Sequence, residues 1–406
     1  MIWSIAWRNI WRNQTRSIIL ISAITIGLFA GVFSTGFYKG MADMRITSAI
    51  KTEVSHIQIH ATDYLSERDI HYYLPETEAL LQELAQHPDI AGVSRRLISD
   101  CFFKAAHGTR GVRMIGIEPD RERTVTDIAE RMEEGNYLQD TGLRVPGILI
   151  GRKLAEKLKL RLNSRIPVDM VDLEGNFSSR LYRVAGIFST ANTGYDEAMV
   201  FVPLADLRTQ LALPQDAAHQ IAIYLHPGKD AQEIIPAIQQ KYAHLDIRSW
   251  RELNKELALI TDTMDYYMYI FVLIILLALG FSIINTMLMA VLERTRELGM
   301  LMAVGMSRWR VFRMIILESV LLSLCGGILG ILIGYGVVRM YENKPLVIDL
   351  FKGFEHYGYS SEVYMNLPLD MAVGIALLVL LVAVLSAIYP AVKAVRLDPA
   401  EAIRVE

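Results

Sequence analysis

The chain has 406 residues, is 52% hydrophobic and carries a formal net charge of −3. Such a small charge gives no indication of a nucleic-acid partner, because a phosphate backbone selects a strongly basic surface. Its two cysteines exclude a disulfide framework, since Cys325 falls inside a long apolar segment that Cys101 does not share.

The N-terminal residues 1–16 are predicted to form an amphipathic helix at the membrane interface. Trp3, Trp7 and Trp11 recur every four residues and form an aromatic stripe, with arginines on another face. Three arginines precede the first apolar run and no A-x-A site follows it, which argues against a cleaved signal peptide. A solvated leader is the alternative.

Four segments are long and apolar enough to cross a bilayer, whose hydrocarbon core of about 30 Å requires roughly 20 helical residues. Residues between Arg16 and Lys39, for example, include no charged side chain. The four predicted transmembrane helices are residues 17–38, 266–292, 313–339 and 370–392.

The distribution of lysine and arginine predicts the orientation of these spans. Residues 293–313 contain five arginines, whereas residues 340–369 contain two lysines against four acidic residues. We therefore expect both termini, including the tail 393–406, and the connection 293–312 to be cytoplasmic. Residues 39–265 and the loop 340–369 are expected outside.

Residues 39–265 are predicted to form one extracytoplasmic α+β domain, because alternating β-rich stretches are interspersed with helix-like stretches. Helical stalks are expected at Tyr38–Lys51 and Trp250–Asp265. The predicted strands are His56–His60, Arg110–Ile117, Ile166–Leu173, Arg180–Ser189, Ala198–Val202 and Gln220–Leu225. The predicted helices are 76–87, 151–160, 204–213 and 231–243.

No pattern in the chain indicates catalysis or a metal site. His56 and His60 share one face of a predicted strand, but four strand residues cover roughly 13 Å, too far for one metal ion. The segment GILIGRK at 147–153 lacks the spacing of a phosphate loop. We therefore expect no catalytic residue, no cofactor and no metal ion in this chain.

Small residues recur every four positions in the predicted spans, and such stripes let helices approach closely in lipid. They predict a compact bundle or a dimer and leave open whether the contacts are static or rearrange. The glycines assigned to this packing are Gly27, Gly31, Gly326, Gly330 and Gly334.

Glu318 is an acidic residue at the start of the third span. It lies five residues beyond Arg313, about 7–8 Å along a helix axis. We expect it to snorkel or to pair with a nearby arginine, and a role in coupling is the alternative.

Long motifs in the chain resemble the FtsX/MacB-like permeases of ABC transporters. Residues 285–327 read NTMLMAVLERTRELGMLMAVGMSRWRVFRMIILESVLLSLCGG and resemble the signature region of the family; residues 389–404, YPAVKAVRLDPAEAIR, resemble its C-terminal signature. GILIGRKLAEKLKL and VAGIFSTANTGYDEAMVFVPLADL resemble its extracytoplasmic domain. The layout is similar to that of the lipoprotein-releasing permeases LolC and LolE.

The resemblance implies a non-catalytic permease subunit of the mechanotransmission type, paired with a second copy or a paralogue. ATP and Mg²⁺ would be bound by ATPase subunits, two copies on separate chains, which contact a coupling helix at 293–312. Leu298, Met302 and Ala303 could fill a groove on that partner, and a plain amphipathic connector is the alternative. The residues carried over to this contact are Glu293, Arg294, Arg296, Glu297, Leu298, Gly299, Met302, Ala303, Gly305 and Arg308.

The resemblance also implies lipoprotein release from the bacterial inner membrane, with lipoproteins and a periplasmic carrier as partners. Release requires an apolar holding site, because an acyl chain buries about 0.8 kcal/mol per CH₂. Export of peptides or drugs through an adaptor, as by MacB, and FtsX-like signalling to a cell-wall hydrolase are the alternatives. Candidate acyl contacts, or lipid-facing belt residues, are Phe33, Phe37, Met264, Tyr267, Met268 and Phe271.

Overall fold

The computed structural model describes residues 7–8, 10–12, 14–105, 108–139, 145–347 and 362–396, which form two compact units. The helical unit contains the described parts of Met1–Asp43, Asp262–Val347 and Glu362–Glu406. The sheet domain contains the described parts of Met44–Thr261. The predictions for Trp3, for residues 397–406 and for residues 348–361 of the loop 340–369 lie outside the described residues.

The helices, in chain order, are α1 (Gln14–Ser48), α2 (Tyr64–Glu67), α3 (Thr77–Ala85), α4 (Pro119–Glu122), α5 (Arg152–Leu158), α6 (Thr193–Ala198), α7 (Leu204–Leu211), α8 (Ala231–Lys241), α9 (Trp250–Leu253), α10 (Lys255–Glu293), α11 (Thr295–Ala303), α12 (Arg308–Met340) and α13 (Leu369–Val395). A π-helical turn, Ala49–Val54, continues α1.

Four of these helices, α1 with its π-helical continuation, α10, α12 and α13, are long and apolar enough to cross a membrane. The four predicted spans lie within them. Both predicted stalks are largely helical, and a capping box between Ser249 and Glu252 begins the second one, at α9.

Helix α1 approaches α12 closely because α12 presents glycine at three successive turns. A methyl group on Gly326 would lie 2.9 Å from the carbonyl oxygen of Ile21, and one on Gly330 would lie 2.8 Å from Leu28 Cβ. Thr25 Oγ1 also donates to the carbonyl oxygen of Gly326 at 3.1 Å. Any side chain at these positions would separate the helices.

The other predicted packing glycines lie on α1 or complete the α12 stripe. A methyl group on Gly27 would lie 2.5 Å from Leu279 of α10, which a side-chain shift would have to relieve. One on Gly31 would make ordinary contact with α13, 3.5 Å from Ile375, and one on Gly334 would lie 3.1 Å from Val32.

The strands, in chain order, are β1 (Ile57–His60), β2 (Ile90–Ala105), β3 (Gly108–Ile117), β4 (Met132–Gly135), β5 (Gly147–Gly151), β6 (Arg165–Val171), β7 (Phe177–Phe188), β8 (Met199–Pro203), β9 (Gln220–Leu225), β10 (Asp246–Ser249), β11 (Leu346–Val347) and β12 (Glu362–Val363). The last two pair with each other in the helical unit.

Six strands of the sheet domain close into a ring in the order β2, β3, β8, β5, β7 and β6, because β6 pairs with both β7 and β2. The pairs β3–β8 and β5–β7 are parallel, and the other pairs in the ring are antiparallel. Phe103, Tyr182 and Val200 are fully buried in the core that belongs to this ring.

The remaining strands extend the ring on either side. Strands β9, β1 and β10 continue from β2, and α3 and α8 cover this part of the sheet. Its separate core contains Ile57, Ile221, Leu81 and Ile234. Strand β4 pairs with β7 on the other side of the ring.

The predicted fold class is confirmed: four helices that could span a membrane and an α+β domain inserted between the first and the second. The predictions missed β2, the longest strand, because its sequence includes two consecutive arginines. Arg95 and Arg96 are nevertheless buried, and they bind Glu118 and Glu122. Buried ion pairs thus allow charged residues at strand positions where an alternating pattern of polar and apolar residues would not predict them.

Candidate coupling site

The short helix α11 lies between the second and third long helices of the chain. Arg294 precedes it with non-helical backbone angles, and Gly305 follows it with φ of +104°. This backbone conformation favours glycine, because a side chain there would be strained. The turn after α11 therefore depends on Gly305.

One face of α11 is buried and the other is exposed. Leu298 is only 4% exposed and belongs to the core of the helical unit, and Gly299 beside it is buried. Met302 is half-buried against the same core. Leu298 therefore does not offer its side chain to a partner in this conformation, contrary to our expectation from the sequence.

The exposed face is both charged and apolar. Met300 is 56% exposed and Val304 84% exposed, although neither was predicted as a contact residue. Six of the predicted contact residues are also exposed: Glu293, Arg296, Glu297, Ala303, Gly305 and Arg308. A partner at this face would meet charges surrounding two apolar side chains.

Arg294 forms a buried ion pair instead of facing outward. Its Nη1 atom donates to Glu318 Oε1 of α12 at 3.1 Å, and both side chains are about 10% exposed. The arginine expected for Glu318 is therefore Arg294. A buried carboxylate requires such a partner, because an unpaired charge is strongly destabilising away from water.

Two arginines near the N-terminus bind acidic residues on the exposed face of α11 and at the end of α10. Arg12 Nη2 lies 2.5 Å from Glu297 Oε2, and Arg16 pairs with Glu293. Arg12 and Glu297 are 285 positions apart, so local sequence patterns could not predict this contact. The opposite charges of the two segments were the only available signal.

A cavity of about 370 Å³ lies beside α11, on the side of the buried ion pair. Apolar residues of α10 and α12, including Val291 and Met314, form much of its wall, and Arg294 and Glu318 also line it. Packing around α11 is therefore incomplete next to this pair.

The six candidate acyl-contact residues differ in exposure. Phe33 and Phe37 of α1 are half-buried against the core of the helical unit. Met264 and Met268 are also half-buried, whereas Tyr267 and Phe271 are exposed on α10. The ring of Phe271 contacts the ring of Tyr38 on α1, with centroids 6.2 Å apart.

The histidines considered for a metal site have other partners. His60 Nδ1 donates to the carbonyl oxygen of His219 at 2.9 Å, and the ring of Tyr64 stacks on the rings of both histidines. Burial lowers the pKa of His60 to about 4. Within the described ranges, no group of three or more histidine, cysteine or acidic residues could hold a metal ion.

Two family models match the chain. The model for the MacB-like periplasmic core domain matches residues 17–241, and that for the FtsX-like permease C-terminal region matches residues 269–399. The chain belongs to the FtsX/MacB-like permease family. It is an ABC transporter permease of the MacB/LolC type, a multi-pass membrane protein with a periplasmic domain.

Individual relatives cover most of this chain. The lipoprotein-releasing system transmembrane protein LolC of Neisseria meningitidis is 24% identical over 421 residues, covering 96% of this chain and 94% of its own. The uncharacterized ABC transporter permease YknZ of Bacillus subtilis is 24% identical over 373 residues, covering 82% of this chain and 84% of its own.

A third relative is longer. The macrolide export ATP-binding/permease protein MacB of Nitrosomonas europaea is 24% identical over 360 residues, which cover 85% of this chain. The match covers 53% of that relative. The similarity to this MacB protein therefore concerns about half of its length.

Proposed function

We propose that this permease is a non-catalytic subunit of the mechanotransmission type, driven by an ATPase on a separate chain that binds ATP and Mg²⁺. The observation on which the proposal rests is that α11 has one buried face and one exposed face. Its inner face is held by Leu298 and the Arg294–Glu318 pair, while Met300 and Val304 are exposed among charged residues. An exposed apolar pair surrounded by charges suits helix-in-groove recognition.

In this proposal both termini and α11 are cytoplasmic, in the inner membrane of a bacterium. Two permease chains, identical or paralogous, bind two ATPase subunits. Closure of the ATPases moves α11, and the long helices transmit the movement to the periplasmic domain. The arginine-rich sequence around α11 supports this orientation.

The cargo that we propose is a lipoprotein leaving the inner membrane. Similarity to LolC over nearly the whole length of both chains supports it. Exposed aromatic residues of α10, such as Tyr267 and Phe271, could contact an acyl chain. Each CH₂ removed from lipid costs about 0.8 kcal/mol unless such a surface replaces the membrane.

Export through an adaptor is the second candidate. The match of residues 17–241 to the MacB-like periplasmic core domain supports it. Under this alternative, the sheet domain binds an adaptor protein and the exposed residues of α10 face lipid.

Affinity purification from gently solubilised membranes, with mass spectrometry of bound proteins and their lipid modifications, tests these proposals. We expect an ATP-binding subunit together with acylated proteins. An ATPase with an adaptor would favour export, and an ATPase with a cell-wall hydrolase would favour signalling. Purification without any ATPase would contradict the proposed function.

A further inference from the structure

The buried ion pair between Arg294 and Glu318 connects α11 to one particular long helix. Arg294 directly precedes α11 and is 9% exposed, and Glu318 lies on α12. The bond therefore joins the start of the short helix to a position about three turns inside the next helix. A movement of α11 displaces the carboxylate to which its first turn is tied.

The other side-chain contacts that join α11 to the rest of the permease are weaker than the Arg294–Glu318 pair. Its ion pair with the N-terminal segment, Arg12–Glu297, is solvent-exposed, and exposed pairs hold their geometry poorly. The cavity beside Arg294 and Glu318 interrupts the apolar packing there. Leu298 and the buried pair thus hold the inner face of α11.

Helix α12 packs so closely against α1 that neither helix has much freedom to slide along the other. The carbonyl oxygen of Ile21 lies 2.9 Å from where a methyl group on Gly326 would stand, so the two backbones are in close contact. Thr25 adds a hydrogen bond to the same glycine. Tightly packed helices of this kind move together, because their contacts cannot deform continuously.

We propose that Arg294 and Glu318 are positioning residues that direct movement of α11 into α12 and from there into α1. This inference rests on the proposed function, in which an ATPase moves α11. It reassigns Arg294 from partner contact to transmission inside the permease. The direct chain connection from α10 to α11 then contributes less to the movement of α1.

The test uses the complete permease–ATPase complex in lipid nanodiscs. Spin labels at two exposed positions, Ile26→Cys on α1 and Phe281→Cys on α10, report the distance between these helices in a Cys325→Ala background. Distances are measured without nucleotide and with ATP plus vanadate, and ATPase binding and hydrolysis are measured on the same samples.

Two variants test the ionic bond separately from the identity of the residue at each position. The double variant Arg294→Gln/Glu318→Gln removes the ionic bond without leaving a buried charge unpaired. We expect it to bind and activate the ATPase but to lose most of the nucleotide-dependent distance change. The exchanged pair Arg294→Glu/Glu318→Arg is expected to restore that change.

The matched control exchanges an exposed pair at the end of α12, Arg339→Glu/Glu342→Arg, and is expected to behave like the unmodified protein. The inference is overturned if the glutamine variant transmits the full distance change. It is also overturned if the exchanged pair assembles without restoring the change, or if neither variant assembles, since the pair then serves packing or folding only. Failure of the unmodified permease to bind an ATPase would instead contradict the proposed function.

Discussion

The helical unit and the sheet domain are each stabilised internally, by different physical interactions. In the sheet domain, large side chains such as Phe103 and Tyr182 fill closed cores, and their removal from water drives folding. In the helical unit, glycines such as Gly326 let backbones touch, because lipid offers no comparable drive. Substitution by a smaller side chain should therefore destabilise the sheet domain most. Substitution by a larger side chain should destabilise the helical unit most.

The largest expected effect is a cavity in the sheet domain. Phe103→Ala empties a fully buried position inside the strand ring and should lower the unfolding free energy by about 3–5 kcal/mol. Phe177→Ala, at a position that is 90% exposed in the same domain, is the control and should change little. Thermal unfolding of the purified permease measures both, and equal effects would contradict the assignment of this core.

A second prediction concerns acid. Burial lowers the pKa of His60 from 6.5 to about 4, so the unfolded chain binds this proton more readily. The stability due to neutral His60 is complete above pH 6.5 and is lost as the pH falls toward 4, by at most about 3 kcal/mol. Burial raises the pKa of Asp196 to about 6, which opposes this trend.

His60→Gln should therefore make the stability of the sheet domain less dependent on pH between about 6.5 and 4. The matched control is His226→Gln, at an exposed histidine of the same domain. Unfolding by denaturant at several pH values measures the difference. A His60 variant with an unchanged profile would show that this histidine is not buried in its neutral form.

A third prediction adds volume to the helical unit. Gly326→Ala places a methyl group 2.9 Å from the carbonyl oxygen of Ile21 and should cost about 1–3 kcal/mol. The neighbouring Gly327→Ala meets nothing within 4 Å and serves as the control. Thermal stability in detergent and in nanodiscs should separate the two variants, and equal stability would argue against close contact between α1 and α12.

The smallest effect is expected at the exposed contact with the N-terminal segment. Arg12→Gln breaks the pair with Glu297 and should change stability by at most about 1 kcal/mol, since both side chains are solvated. Its effect should also fall with added salt. A loss of several kcal/mol, insensitive to salt, would mean that this segment is buried in the assembled protein.

The sequence predicted the helices of this protein better than it predicted its sheet. Uninterrupted apolar stretches identify the four long helices directly, because a bilayer requires a minimum length. Strand β2 was missed because Arg95 and Arg96 interrupt its pattern, and their partners, Glu118 and Glu122, come from another segment. The closure of the ring by β6 depends on its pairing with β2, which is far away in the chain, and one sequence cannot reveal that pairing.

The sequence indicated where the candidate site lies in the chain, but not which face of α11 is buried. The charged residues 293–313 between two spans indicated a short connecting helix, and α11 lies there. Which face is buried depends on contacts with α12, so the sequence alone could not show that Leu298 and Arg294 are buried. Met300 and Val304 were missed because the family motif gave them no role.

The affinity of the ATPase subunit for the permease in nanodiscs tests the central claim most directly. We compare the unmodified protein, Val304→Glu on the exposed face of α11, and Val347→Glu, at an exposed valine of β11, as the matched control. If α11 is the docking element, Val304→Glu should weaken binding about tenfold or more, which corresponds to roughly 1.4 kcal/mol, and Val347→Glu should not. Equal binding by all three proteins would contradict the assignment of α11 as the site where the ATPase acts.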